Sequence, residues 1–139
     1  MSVGWGQWDI TPPEVTNFEF TSSDTVDITD STQTISYTMT VIDDMSGVNW
    51  CNGYYYSPTG VDYLNFGSGF PSEGELEVTN EGEIYIPQFI EPGLYTFDYM
   101  NCYDYSGNGN YYYFEEMDSL GFSTEIFVIN ESEFDITPP

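Results

Sequence analysis

The residues of this chain that could do chemistry are almost all oxygen donors. Asp43-Asp44 sits in the segment Asp-Asp-Met-Ser-Gly-Val, Asp104 precedes Tyr105-Ser106-Gly107-Asn108, and Asp9 opens the segment Asp-Ile-Thr-Pro-Pro. Carboxylates and amides set among Gly and Ser suit a hard cation such as Ca²⁺, which takes about six to eight oxygen ligands in flexible geometry. The same residue types dominate ordinary turns, where Asp and Asn side chains bond their own backbone. Both readings stand at this level. No D-x-[DN]-x-[DN]-G loop is present, so an EF-hand is not expected. Zinc is not expected either, with no His and two Cys.

Other reactive constellations are thin. With no His and no Lys, Ser, Thr and Cys lack the usual base that would activate them as nucleophiles. A carboxylate pair could in principle hydrolyse a glycoside. The adjacent pair, Glu115-Glu116, points to opposite faces if extended, so the chain is not expected to be an enzyme. Lys–Asn isopeptide cross-links are impossible without Lys. Cys51 and Cys102 suit one disulfide formed in an oxidising compartment. In the runs Tyr54-Tyr55-Tyr56 and Tyr111-Tyr112-Tyr113 the outer two rings share a face and the middle one opposes them. Tyr54, Tyr56, Tyr111 and Tyr113 therefore form either a cross-strand aromatic ladder or an exposed platform for a glycan or for a neighbouring chain. Asn130-Glu131-Ser132 is a lone glycosylation sequon.

The charge narrows the partners. There are 24 Asp and Glu and no cationic side chain in 139 residues, whereas globular domains draw roughly a quarter of their residues from both signs together. High solubility, divalent cations standing in for the missing positive charge, and loss of every trypsin-type cleavage site would each favour this composition. Nothing in the chain can neutralise phosphates, so no nucleic-acid partner is expected. Anionic membrane surfaces are excluded likewise. No apolar run approaches the roughly 20 residues of a membrane span, and no signal-peptide pattern begins at Met1. Aromatics are 19% of the residues, too many for a disordered acidic tail, so the chain should fold.

The elements that must position these residues read as strands. Ile35, Tyr37, Met39 and Val41 alternate with Thr34, Ser36, Thr38 and Thr40, a half-buried strand. Similar runs fall at 15–20, 25–28, 48–56, 61–66, 75–78, 83–86, 94–103, 110–114 and 124–129. Turn residues separate them, including Ser46-Gly47, Asn80-Glu81-Gly82 and Ser106-Gly107-Asn108-Gly109. Only 115–120 suggests a helical turn. The pattern predicts an all-β, antiparallel Greek-key sandwich of about seven to nine strands. Asp-Ile-Thr-Pro-Pro occurs at 9–13 and again at 135–139, which marks repeat boundaries. Residues 1–8 would be an extension or the end of a preceding repeat, 9–134 the sandwich, and 135–139 the start of the next.

The opening Asp-Ile-Thr-Pro-Pro, the Asp43–Val48 segment, the Asp104–Asn108 segment, and Ile86-Pro87-Gln88 followed by Glu91-Pro92-Gly93 occur in one order. In this the chain resembles tandem bacterial immunoglobulin-like repeats, over roughly residues 9–139. The resemblance implies a spacer domain of a surface adhesin or secreted multidomain protein, often with bound calcium. In such a sandwich, with strands lettered A to G, the B–C, D–E and F–G turns share one pole with the start of A. Asp43 and Asp44, Asn80 and Glu81, Asp104 and Asn108, and Asp9 would meet there. The expected site is a Ca²⁺ junction of Asp43, Asp44 and Asp104 with Asp9 and Asn108 in support. Cys51 and Cys102, near the tops of neighbouring strands C and F, would bridge beside it. The expected function is a structural repeat of an extracellular, cell-surface adhesin or fibre, with identical repeats or subunits as partners. A self-assembling filament subunit and a carbohydrate-binding module using the tyrosines are the alternatives.

Overall fold

The computed structural model of the protein describes residues 10–45, 47–69 and 76–131. Nine strands and one short helix build a two-layer sandwich. One sheet holds β1 (Glu14–Phe20), β3 (Gln33–Ile42) and β6 (Glu77–Ile86), in the order β1-β3-β6. The other holds β2 (Thr25–Asp27), β9 (Glu125–Ile129), β7 (Gly93–Asp104), β4 (Val48–Tyr56) and β5 (Tyr63–Gly69), in that order, with β8 (Gly109–Tyr113) also on β7. The chain crosses between layers after β1, β2, β3, β5 and β6, and the expected immunoglobulin-like Greek-key sandwich is what forms. One pairing departs from the antiparallel rule: β2 runs parallel to β9. The chain enters at the same pole from which β9 descends, and after β1 it changes sheets without reversing.

Period-two burial builds the core. Ile35, Tyr37, Met39 and Val41 are buried, and the threonines and serine between them face outward, where β-branched and hydroxyl side chains suit a pleated surface. Aromatic rings fill the middle of the sandwich. Phe18 stacks on Phe66 at 5.0 Å, and Tyr55 meets Phe97 edge-on at 5.5 Å. The Tyr95 hydroxyl donates to the Glu91 carbonyl at 2.6 Å and closes the corner between β6 and β7. That contact gives the Glu91-Pro92-Gly93 segment a structural role.

The last strand is split. β8 pairs with Tyr99–Tyr103 of β7 and β9 pairs with Gly93–Thr96 on the same edge. Between them lies α1 (Phe114–Ser119), whose Met117 is fully buried. Glu116 accepts a hydrogen bond from the Tyr113 backbone N–H at 2.9 Å, so this carboxylate caps the helix.

Asn80-Glu81-Gly82 reads as a turn but lies within β6, whose register against β3 runs unbroken from Ile86 to Glu77. Strands expected at 75–78 and 83–86 are therefore one. Gly82 is there for space: a Cβ would lie 2.5 Å from the hydroxyl oxygen of Tyr37, whose ring packs across it. Asn80 and Glu81 consequently leave the pole where they were expected.

Two outcomes follow from this packing. Gly82→Ala should cost about 1–3 kcal/mol, because Tyr37 is 1% exposed and has nowhere to go. A melting midpoint unchanged from wild type would refute that reading. Burial, with Tyr37 beside it, also raises the Tyr55 phenol well above its usual range, and burial followed by the Asp62 and Glu91 charges raises Tyr95. Both groups thus stabilise the fold fully below the unfolded value near 10, and that contribution is lost as pH rises through the higher folded values. With no Lys, Arg or His, and no free cysteine, the melting midpoint should stay flat between about pH 6 and 9 and fall above about 10. Thermal melts across that range check it.

Candidate functional site

The entry pole is built from the β3–β4 and β7–β8 turns. In the first, Asp43 Oδ2 accepts the backbone N–H groups of Gly47 at 2.8 Å and Met45 at 3.3 Å. In the second, Asp104 Oδ1 accepts Ser106 N–H at 2.9 Å and Asn108 N–H at 2.8 Å, while Oδ2 accepts the Asn108 side-chain amide at 2.8 Å. Gly47 and Gly107 take φ of 93° and 90°, the left-handed backbone each turn needs. Tyr105 N–H donates to the Gly47 carbonyl at 3.1 Å, which joins the two turns. Both aspartates are buried, at 6% and 1% exposure, although no cation is available to pair with them. Backbone dipoles carry their charge instead.

Of the expected calcium junction, the described residues place Asp43, Asp44, Asp104 and Asn108 at this pole. Asp43, Asp44 and Glu14 border one shallow cleft with Thr11 and Pro12. Even so, among the described residues no three carboxylate, His or Cys side chains are grouped so as to hold a metal ion. Both Asp104 oxygens accept hydrogen bonds within their own turn, from Ser106 and Asn108. Asp9 lies outside the described residues. Asp43, Asp104 and Asn108 do come together as expected, as the framework of two joined turns.

The cysteines behave as the spacing predicts. Cys51 and Cys102 are bonded, directly opposite in the β4–β7 register and both buried. Closing a loop of 51 residues contributes about 4 kcal/mol by chain entropy.

On the other side of those same strands lies an aromatic face. From β4 it takes Trp50, Asn52, Tyr54 and Tyr56, and from β5 Tyr63 and Asn65. From β7 it takes Tyr99, Asn101 and Tyr103, and from β8 Tyr111 and Tyr113. The rings pack in two groups. Trp50 lies 4.8 Å from Tyr103, and Tyr54 is 5.7 Å from Tyr63 and 5.4 Å from Tyr99. Tyr99 is 6.4 Å from Tyr113, and the Tyr103 and Tyr111 hydroxyls hydrogen-bond at 2.7 Å. That hydrogen bond, then burial, raises the Tyr103 phenol. Burial, then Tyr54 and Tyr56, raises Tyr99. The face is uncharged at neutral pH.

Sequence reasoning found four of these rings, Tyr54, Tyr56, Tyr111 and Tyr113, and missed Trp50, Tyr63, Tyr99 and Tyr103. Strict alternation from buried Tyr95 and Phe97 sends Tyr99 and Tyr103 into the core. A bulge at Asp98 resets the parity, since Tyr55 opposes Phe97 but Tyr54 opposes Tyr99. Met100 and Cys102 turn inward, and the tyrosines turn out. The isolated Asp within an apolar run is the only sequence sign of it.

No protein-family model matches the chain, and no curated protein matches it at a significant level.

Asp104→Ala removes three charge-assisted contacts and should destabilise the fold by about 2–3 kcal/mol. Melting midpoints in millimolar Ca²⁺ and in chelator test the expected junction, which equal values would remove. A rise of several degrees with Ca²⁺ that disappears in Asp104→Ala would show instead that an ion joins this pole.

Proposed function

We propose that the chain is a non-enzymatic, load-bearing spacer module of an extracellular, cell-surface adhesin or fibre. The observation that carries this is the path of the chain. β1 starts at the pole of Ile42 and Asp43, where Glu14 opposes Ile42. β9 ends at the opposite pole, where Val128 opposes Gly93. Successive copies joined end to end would extend along one axis.

Both ends are tied to the body. At entry, the Asn110 amide donates to the Pro13 carbonyl at 2.9 Å, and Val15 N–H donates to the Tyr112 hydroxyl at 2.8 Å. At exit, the Asn130 amide donates to the Gln88 carbonyl at 3.3 Å, and Glu131 N–H donates to the Thr29 hydroxyl at 2.8 Å. Tension between the poles runs along β1 and β9. Their ladder hydrogen bonds lie across that direction, so many must shear together rather than open singly. The buried disulfide supports an oxidising location, and the Asp-Ile-Thr-Pro-Pro segments at 9–13 and 135–139 support a tandem arrangement.

Tandems of two and three copies, joined through Asp-Ile-Thr-Pro-Pro, test this by small-angle X-ray scattering. β7 has 12 residues, so one unit spans about 40 Å along its strands. The maximum dimension should grow by about that length per added copy. Growth well below it would mean that copies fold back on one another, and the spacer reading would fall.

A further inference from the structure

The aromatic face differs in kind from the rest of the surface. Elsewhere the described strands present carboxylates: Glu19, Glu77, Glu81 and Glu83 on the outer side of the β1-β3-β6 sheet, and Asp27 and Glu125 on the lower part of the other sheet. Over the upper part of β5-β4-β7-β8, among the described residues, every outward side chain is Tyr, Trp or Asn. Asp98, exposed at its bulge, marks the lower margin. In a chain with 24 carboxylates, a strip of this size free of charge sets the chemistry of what can rest on it.

We propose that this face binds a neutral polysaccharide, its rings stacking on sugar rings and its phenols and the exposed Asn65 amide meeting sugar hydroxyls. The charge argues against a second copy as occupant, because two chains of formal charge −24 repel. Area argues the same way. Four strands about 4.8 Å apart, over the run from Trp50 to Tyr56, give roughly 300–450 Å². A standard protein interface buries about 800 Å² per partner. The face is of the size that on monomers often has a function, and it fits a slender uncharged chain. A cationic ligand would find one carboxylate beside the described rings, Asp98.

The face is also held ready. Tyr and Trp offer wide amphipathic contact at little conformational cost. Here each ring already leans on a neighbour, and the Tyr103–Tyr111 hydroxyl pair fixes one edge. Directly beneath, the Cys51–Cys102 bond locks the register of the strands that carry Trp50, Tyr54, Tyr99 and Tyr103. Binding therefore needs little further ordering of the protein.

The experiment is native affinity electrophoresis of the full chain through gels containing hydroxyethylcellulose, xylan, galactomannan or dextran, with hyaluronan as the anionic control. At least one neutral polymer should retard the protein, and hyaluronan should not. Trp50→Ala should weaken that retardation tenfold or more. Tyr63→Ala and Tyr111→Ala, at positions 56% and 44% exposed and outside the core, should weaken it while leaving the melting midpoint near wild type. Tyr85→Ala, exposed on the opposite sheet, should leave it unchanged. Failure of every neutral polymer to retard the wild type overturns the proposal. So does retardation that all three face variants retain. Concentration-dependent dimerisation that these variants abolish, without retardation, would assign the face to a second copy and overturn it as well.

Discussion

The constraint on which the structure depends is that no positive side chain exists to balance 24 carboxylates. Ion pairing, the usual way to bury an acid, is closed to this chain. Its buried acids must be solvated by backbone N–H groups, and the fold provides them in two places. Asp43 and Asp104 each sit at the head of a turn whose following N–H groups point back at the carboxylate. These turns meet through the hydrogen bond from Tyr105 to Gly47, so the turns that hold the buried acids also hold the entry pole together. The remaining acids among the described residues lie on strand exteriors and loops, where water screens them.

Self-repulsion opposes compaction, and the interior offsets it with apolar surface of large unit size. Phe18, Tyr37, Tyr55, Phe66 and Tyr95 are all essentially buried. Two of the phenols among them find acceptors, Tyr55 at the Ser123 carbonyl and Tyr95 at the Glu91 carbonyl. The disulfide adds stability that charge cannot reach, since it acts on the unfolded chain. These terms let a sequence without cationic side chains keep one packed sandwich.

The spacer reading and the glycan reading use different directions of the same body. Tension runs from pole to pole through β1 and β9, whereas the aromatic face looks sideways. A module that carries load along its axis and holds a polymer on its flank would let a tandem chain contact one glycan strand repeatedly. Weak single contacts would then add by effective concentration.

The sequence by itself determined the architecture. Period-two alternation along 34–41 and 94–97, Gly-rich turns at 47 and 107, and the separation of Cys51 from Cys102 fix the strands, two polar turns and the disulfide, because these are local or pairwise properties. Tyr55 and Tyr112 could be placed inside, and their flanking tyrosines outside, on alternation alone. Other features were decided only in three dimensions. Gly82 signals a turn locally, yet it is a strand residue whose missing Cβ admits Tyr37. Which backbone N–H groups Asp43 and Asp104 accept depends on turn geometry, not composition. The facing of Tyr99 and Tyr103 rests on one bulge at Asp98. A one-residue shift in parity moves every later side chain to the opposite face, and only the pairing of β7 with β4 reveals where that shift occurs.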